Sequence, residues 1–195
     1  MFRDLLRQRF PELSRESVAL LEAHYELLVR WNRVLNLTAI RDLEAIVERH
    51  YCESIFLAAH LPPNSVSIAD IGSGAGFPGF PVAVLRSDCR VTLIESHQRK
   101  AVFLRESSRK LGNVRVLAQR AEEVTERFDV AVSRAVSYQD LGRSLDNLSS
   151  NAILLCGVES PPVSLGFVWD SHIMLPWGDQ RFLRVGRVSR ETPNS

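Results

Sequence analysis

The chain has 195 residues, enough for one α/β domain with a small extension and too few for two full-size domains. Its 24 basic and 23 acidic residues nearly cancel, so overall charge does not indicate a nucleic-acid-binding protein. The three cysteines form no CxxC pair, which argues against a disulfide framework and a zinc site. Charges interrupt the first apolar runs and no later run approaches a membrane span, so we expect a cytoplasmic protein without signal peptide, membrane segment or metal.

The first third of the chain has a helical pattern. Apolar side chains recur every three or four residues over residues 14–37 and again over residues 42–61. The run Pro62-Pro63-Asn64 ends the second helix, because proline cannot continue a helical hydrogen-bond ladder. We therefore expect a helical extension at residues 1–61 and one main domain at residues 62–195.

After this boundary, short β-rich runs alternate with helical segments, which is typical of a parallel sheet with helical crossovers. The expected strands are residues 66–71, 90–95, 114–117, 128–133 and 152–156. The expected helices lie near residues 78–86, 97–111 and 138–148. Beyond Gly157 the helical signal fails, and Val168–Leu175 and Phe182–Val188 are expected to form a closing pair of strands. The predicted fold class is α/β with a mostly parallel central sheet.

A glycine-rich turn follows the first expected strand. The strand ends near Asp70, and Gly72, Gly74 and Gly76 then occupy every second position. Such a turn lets a ligand approach the backbone, and in an open α/β sheet it lies at the carboxyl edge where ligands bind. The GxGxxG pattern that ends at Gly79 would equally suit a dinucleotide. Asp70 followed by three alternating glycines resembles motif I of methyltransferases that depend on S-adenosylmethionine (SAM).

The next expected strand ends in Glu95, about twenty residues after the glycines, the usual position of an acid that binds a ribose. A carboxylate there can accept hydrogen bonds from both ribose hydroxyls. Enzymes that use NAD place an acid at the same point, and a solvated acid that caps the following helix would give the same pattern. Glu95 therefore supports a nucleoside ligand without identifying it.

With its other motifs, the chain resembles the small-subunit ribosomal RNA methyltransferase G family, also called glucose-inhibited division protein B. The resemblance covers nearly the whole chain and depends on the order and spacing of short motifs. These are Trp31-Asn32, Asn36-Leu37-Thr38, Arg49-His50, Ser54, Gly72 to Gly79, Phe103-Leu104, Arg120-Ala121-Glu122, Ser133-Arg134-Ala135 and Arg181. The resemblance implies a Rossmann-like fold, SAM as cofactor with S-adenosylhomocysteine as product, and methylation of guanine N7 in the 530 loop of 16S ribosomal RNA.

The motif and the resemblance together imply roles for individual residues. The expected cofactor contacts are Asp70, Gly72, Ser73, Gly74, Gly76, Phe77, Glu95, Ala121, Glu122 and Arg134. Arg134 would also face the substrate, and with His50 and Glu53 it forms the expected catalytic set. Arg120 and Arg181 would belong to a basic face that meets RNA. His50 could equally be a core histidine, and either of the two RNA-facing arginines could be an ordinary solvated one.

The implied reaction needs few catalytic groups. Guanine N7 carries a lone pair and no proton at neutral pH, so no general base is required. Positioning the base against the methyl group can supply roughly 7–11 kcal/mol of the barrier. An extruded base also needs an aromatic stacking partner, for which Phe77 and Trp31 are candidates, although Trp31 fits the apolar stripe of its helix better.

Two residues depart from the family pattern. Glu53 stands where the family usually has aspartate, and Cys156 stands where it usually has lysine at the end of the fifth strand. The missing cation leaves open a SAM-binding or ribosome-binding protein with reduced catalysis. A methyltransferase of small molecules and a nicotinamide oxidoreductase are also compatible with the glycine turn and Glu95. The expected partner is 16S ribosomal RNA or the small ribosomal subunit, with the protein acting as a monomer.

Overall fold

The computed structural model describes residues 1–64, 66–162, 165–177 and 180–189. The strands are β1 Ser67–Ile71, β2 Arg90–Ile94, β3 Val114–Leu117, β4 Val130–Arg134, β5 Asn151–Cys156, β6 Phe167–Met174 and β7 Phe182–Val188. They form one seven-stranded sheet in the order β3-β2-β1-β4-β5-β7-β6. The expected strands are confirmed to within two residues at either end. The last residues of the expected main domain, 190–195, lie outside the described residues.

Strands β1 to β5 run parallel, whereas β7 is antiparallel to both β5 and β6. Parallel neighbours require crossover connections; helices supply them after β1, β2 and β4, and the connection from β3 to β4 contains only a short 3-10 turn. The strand order reverses between β1 and β4, and in open α/β sheets such a reversal places a crevice outside the carboxyl ends of the strands. The predicted mostly parallel sheet is confirmed.

The helices are α1 Phe2–Arg9, α2 Arg15–Leu35, α3 Leu43–Ile46, α4 Glu53–Ala59, α5 Gly79–Leu85, α6 Gln98–Ser108, α7 Tyr138–Leu141 and α8 Leu145–Leu148. A π-helical turn, Val47–Cys52, joins α3 to α4, and a 3-10 turn covers Ala121–Glu123. The side chains of Ser14 and Asp42 cap α2 and α3, each accepting a first-turn N–H at 2.9 Å. No helix in the described ranges combines the length and apolar character needed to cross a membrane.

Alternate residues of the central strands enter two apolar cores, because successive side chains of a strand point to opposite faces. On one face Ile68 and Leu93 pack with apolar side chains from α1 through α6. On the other face Ala69 and Ile94 pack with apolar side chains of α7 and α8. The N-terminal helices therefore cover the same face of the sheet as α5 and α6, and they share its core.

Candidate active site

The glycine-rich turn lies between the carboxyl end of β1 and the start of α5. Gly72, Gly74 and Gly76 have φ angles of +68°, +54° and +88°, which residues with side chains rarely adopt. At Gly72 a Cβ atom would also lie 2.5 Å from Cγ2 of Val136. The chain can therefore follow this path only with glycine, and the turn presents backbone rather than side chains to a ligand.

Asp70 lies beneath this turn rather than in it. Its carboxylate is fully buried, and Oδ2 accepts the N–H of Gly79 at 3.0 Å. Burial raises the pKa of Asp70 to about 7, and Oδ1 has no hydrogen-bond partner in the described part of the chain. The hydroxyl of Ser73 donates to the carbonyl oxygen of Asp70 at 3.0 Å. Both residues hold the turn from below, and their direct contact with a cofactor stays a prediction.

Glu95 follows β2 and connects it to the turn. Its Oε2 accepts the N–H of Gly74 at 2.9 Å, and its Oε1 accepts the N–H of His97 at 2.7 Å. A carboxylate oxygen can accept two hydrogen bonds, so each oxygen of Glu95 retains one acceptor position. The buried carboxylate can therefore support the turn and still receive two ribose hydroxyls.

A cavity of about 210 Å³ opens at the carboxyl ends of β1, β2 and β3. Its lining residues are Ile71, Gly72, Ile94, Ser96, Gln119, Arg120, Ala121, Glu122, Val136 and Asp140. The structure thus brings the expected residues Ala121 and Glu122 together with the glycine turn. Ile71, Ile94 and Val136 give the cavity apolar surface for a flat nucleoside base, and half of the lining residues are polar groups that can bond to its edge. With the free acceptor positions of Glu95, this cavity, named here the nucleoside cavity, fits the adenosine part of SAM.

The guanidinium group of Arg134, at the end of β4, is held from one side. Its Nη1 donates to the carbonyl oxygen of Arg49 at 2.6 Å and to Nδ1 of His50 at 2.7 Å. Because arginine only donates, Nδ1 of His50 accepts, and the ring proton lies on Nε2, which donates to Oγ1 of Thr38 at 2.7 Å. Burial, followed by the charge of Arg134, lowers the pKa of His50 to about 3. His50 is a neutral acceptor that orients Arg134.

The motif residues of the N-terminal helices support this pair. Asn32 exchanges two hydrogen bonds of 2.9 Å with the backbone of Thr38. Phe77 is buried, and its ring stacks on His50 with 4.7 Å between ring centres. Trp31 packs edge-on against Phe103, which confirms the expectation that it belongs to the core. The contact of Phe77 with SAM stays a prediction.

Glu53 is fully buried and forms a bidentate pair with Arg181. Nε and Nη2 of Arg181 donate to the two carboxylate oxygens at 3.0 and 2.9 Å, and Nε of Arg49 lies 3.3 Å from Oε1. Arg181 is therefore not a solvated arginine, since only 18% of its side chain is exposed. Arg134, which interacts electrostatically with both Glu53 and Arg181, is partly buried. Burial lowers the pKa of Arg134 to about 10, so the Arg134 guanidinium remains charged at neutral pH. The expected contact of Arg181 with RNA stays a prediction.

A second cavity, of about 390 Å³, lies at the carboxyl ends of β4 and β5. Its lining residues are Ser133, Arg134, Ala135, Val136, Ser137, Tyr138, Leu141, Leu154, Leu155, Cys156, Gly157, Glu159 and Arg181. Val136 lines both this cavity and the nucleoside cavity, so the two spaces are neighbours. We name it the acceptor cavity. It contains Cys156, the position where the family usually has lysine.

His24 of α2 is a site residue that sequence reasoning missed. Its Nε2 donates to the carbonyl oxygen of Ala75, inside the glycine turn, at 3.1 Å. Nδ1 therefore accepts the hydroxyl of Tyr51 at 2.8 Å, and burial lowers the pKa of His24 to about 3. The sequence did contain a signal that could have identified His24: it lies between Leu21 and Leu28 on the apolar stripe of α2. A polar ring on such a stripe needs buried partners.

Sequence comparison identifies relatives across most of the chain. The model of the family described as rRNA small subunit methyltransferase G matches residues 17–152. The ribosomal RNA small subunit methyltransferase G of Aquifex aeolicus is 38% identical over 156 residues, which are 76% of this chain and 80% of that protein. The protein of the same name from Nitrosomonas europaea is 40% identical over 149 residues, covering 72% and 69% of the two chains.

Solved structures share the fold at low sequence identity. Magnesium protoporphyrin IX methyltransferase from Synechocystis, with bound S-adenosylhomocysteine, matches with a TM-score of 0.59 and 10% identity, covering 90% of this chain and 100% of that one. A SAM-dependent methyltransferase from Aquifex aeolicus matches with a TM-score of 0.57 and 13% identity, covering 74% and 93%. The predicted Rossmann-like methyltransferase fold is confirmed, with SAM as its cofactor. Because the family model extends from α2 into β5, this chain belongs to the rRNA small subunit methyltransferase G family.

Proposed function

We propose that the enzyme transfers the methyl group of SAM to N7 of a guanine in small-subunit ribosomal RNA. The observation that carries the proposal is the pair of neighbouring cavities that share Val136 as a lining residue. One lies beside the glycine turn, and the lining of the other includes Arg134 and Arg181. Arginine donors match the O6 and N7 acceptors on one edge of guanine. The names of the relatives supply the class of RNA.

Bound SAM supplies a methyl group attached to a positively charged sulfur. Guanine N7 has no proton to lose at neutral pH, so the chain needs no general base. This agrees with His50, whose Nδ1 accepts from Arg134 and whose Nε2 proton is directed at Thr38. Neither ring nitrogen is available to take a proton from substrate. Holding the acceptor in line with the methyl group, worth about 7–11 kcal/mol, is the contribution we assign to the chain.

Arg134 and Arg181 are best placed to hold the acceptor. Arg134 uses Nη1 on backbone and His50, and no hydrogen bond of its Nη2 occurs within the described residues. Arg181 uses Nε and Nη2 on Glu53, which leaves its Nη1. Two charged donors from separate elements therefore converge on the acceptor cavity. We assign them to guanine O6 and to an adjacent phosphate.

Two exposed arginines near the carboxyl edge of the sheet suit a polyanionic substrate. Arg99 and Arg120 follow β2 and β3 and are exposed, and no ion pair of either occurs among the described residues. Arginines without partners suit phosphate contacts. A methyltransferase of small molecules would not need them at the rim of the site.

The direct test is methyl transfer to ribosomal RNA from a strain that lacks the modification. Purified enzyme and labelled SAM are incubated with 16S RNA and with small subunits, and 7-methylguanosine is mapped by chemical cleavage. We expect one modified guanine, at the 530 loop. In the cell we assign this reaction to a monomer in the cytoplasm. Labelling of neither RNA nor particles would refute the proposal, and labelling of low-molecular-weight material alone would favour a small-molecule acceptor.

A second test concerns RNA association. Arg120→Glu should weaken RNA binding and reduce the slope of log affinity against log salt by about 1, because fewer counterions are released. Arg15→Glu is the matched control, since Arg15 is exposed at the far end of α2. Charge reversal at Arg181 is unsuitable, because it would leave Glu53 buried without its partner, a loss of about 3–5 kcal/mol of stability. Equal slopes for both variants would remove Arg120 from the RNA interface.

A further inference from the structure

We propose that Tyr138 is the aromatic platform on which the acceptor guanine stacks. The inference rests on the proposed function, because it names the base-binding residue of that same site. Among the described residues that line the acceptor cavity, Tyr138 is the aromatic one. Proteins that bind an unstacked base place it against an aromatic ring, which replaces the stacking lost with its neighbours.

The two aromatic residues that the sequence offered for this role already pack against other rings. Phe77 is 3% exposed, with the ring of His50 stacked on it and the ring of Tyr51 packed edge-on at 5.0 Å. Trp31 packs against Phe103 with 5.8 Å between ring centres. Neither borders the acceptor cavity. Tyr138 is only half-buried and borders the cavity, so its ring is available to a base.

The position of the Tyr138 ring is fixed at both ends. Tyr138 is the first residue of α7, directly after the capping side chain of Ser137, which accepts the N–H of Asp140 at 3.1 Å. The phenol oxygen donates to the carbonyl oxygen of Glu159 at 2.8 Å, on the loop after β5. Burial raises the pKa of Tyr138 above its usual range, so the hydroxyl keeps the proton that it donates. A ring held in this way presents a preorganised surface.

Tyr138 also lies close to Arg134 and to the nucleoside cavity. Between Arg134 and Tyr138 the chain turns sharply, with Ala135 at a φ of +59°, which places both side chains on walls of one cavity. Val136, two residues before Tyr138, also borders the nucleoside cavity. A guanine stacked on Tyr138 would therefore have charged donors at its edge and the cofactor beyond Val136. The ring determines the plane of the base, and the arginines determine its rotation within that plane.

The test compares Tyr138→Leu and Tyr138→Phe with Gln139→Leu, a matched control at the next, exposed position of the same helix. Three quantities are measured with the whole chain: kcat/KM for 16S RNA at saturating SAM, Kd for SAM by calorimetry, and the fluorescence of 2-aminopurine placed at the target position of the RNA. Tyr138→Leu should lower kcat/KM by about 5- to 100-fold, the effect of losing one base–aromatic stack. Its Kd for SAM should stay within about twofold, because the ring does not border the nucleoside cavity.

Tyr138→Phe keeps the ring, so it should retain most of the activity and should quench 2-aminopurine as the wild type does, whereas Tyr138→Leu should leave the probe bright. If thermal unfolding shows that Tyr138→Leu is not folded, Tyr138→Met is used in its place, with the same expected results. Wild-type activity and quenching in the leucine or methionine variant would overturn the inference while leaving the proposed function intact. Failure of the wild-type chain to methylate RNA would instead overturn the proposed function. Parallel loss of SAM affinity would show that Tyr138 acts on the fold and would also overturn the inference.

Discussion

At the scale of single residues, His50 shows how a catalytic site can contain a histidine that does not transfer protons. Its pKa is lowered to about 3, mainly by burial, and both ring nitrogens are engaged. Asp70→Asn removes the buried carboxyl group whose pKa is about 7, and in this variant we predict a methyl-transfer rate that is flat between about pH 6 and 8 with both substrates saturating, since neither His50 nor guanine N7 changes protonation there. Single-turnover rates across this range provide the check. A fall in rate with an apparent pKa near 6.5 would show that His50 does titrate.

Glu95 is the residue on which cofactor affinity should depend most directly. In Glu95→Gln the new amide group would face a backbone N–H of Gly74 or His97, and one acceptor for the ribose would be lost. We predict a Kd for SAM raised about 10- to 100-fold, as expected for hydrogen bonds to a charged group. Calorimetry on Glu95→Gln and on the exposed control Glu106→Gln measures the effect. An unchanged Kd in a folded Glu95→Gln protein would place the ribose elsewhere.

Cys156 raises the question of whether the missing family lysine limits this enzyme. The thiol shares the acceptor cavity with Arg134 and Arg181, and only Arg181 is neutralised by a bidentate carboxylate. A lysine at position 156 would add a third cation to this space, and like charges would disfavour it. We therefore predict that Cys156→Lys does not increase the single-turnover rate at saturating SAM. Faster methyl transfer by Cys156→Lys would mean that Arg134 and Arg181 do not replace the missing lysine.

At the scale of elements, helix α2 reaches the glycine turn through His24. His24→Phe would leave the carbonyl oxygen of Ala75 and the hydroxyl of Tyr51 buried without partners. We predict a loss of about 2–4 kcal/mol in unfolding free energy, since each orphaned group costs about 1–3 kcal/mol, together with weaker SAM binding. His60→Phe is the control, because the hydrogen bond of His60 is local: its Nδ1 bonds to the carbonyl oxygen of Phe56, four residues earlier, and not to the glycine turn.

A double-mutant cycle separates the two hydrogen bonds of His24. Tyr51→Phe removes the orphaned hydroxyl, so the double variant should recover part of the stability lost in His24→Phe, by about 1–2 kcal/mol. SAM affinity should not recover, because Ala75 would still lack its donor. Urea unfolding and calorimetry on the four proteins give both quantities. If the stability losses of the two single variants simply add up in the double variant, the hydroxyl of Tyr51 and the ring of His24 are not coupled.

The same elements show what the sequence could predict. The strands and long helices follow from apolar periodicity and turn residues, which are local signals. Helix α1 was missed because charges interrupt its short pattern, although Phe2 and Leu6 are spaced four apart and are both buried. The glycine turn and Glu95 were found because the fold fixes their spacing. The pairing of Glu53 with Arg181 could not be found, because residues 128 positions apart meet only in the folded chain.

At the scale of the whole molecule, three buried groups control stability in acid. His24 and His50 have pKa values of about 3, so the unfolded chain binds two more protons as the pH falls below about 6.5. Asp70 opposes them, because its pKa of about 7 gives the folded chain one more proton over the same range. The net difference is one proton, so stability should fall by about 1.4 kcal/mol for each pH unit between about pH 6 and 4.5.

Two variants make this balance measurable by urea unfolding at several pH values. Asp70→Asn removes the opposing group, so the loss per pH unit should approach twice that of the wild type, about 2.7 kcal/mol. His24→Phe removes one histidine, and its stability should then be nearly independent of pH in this range. A wild-type chain that became more stable on acidification would show that the histidines are protonated when folded.

The shared core of the N-terminal helices and the sheet has a consequence for synthesis. Helices α1 to α4 leave the ribosome before α5 and α6, yet the apolar side chains that cover them, such as Phe80 and Phe103, belong to α5 and α6. At about 5–20 residues per second, the segment from Ala59 to Leu104 takes roughly 2–9 s to appear. During that interval the nascent helices expose an uncovered apolar face, which a holdase chaperone could bind. The enzyme can therefore begin to mature only after its sixth helix has emerged.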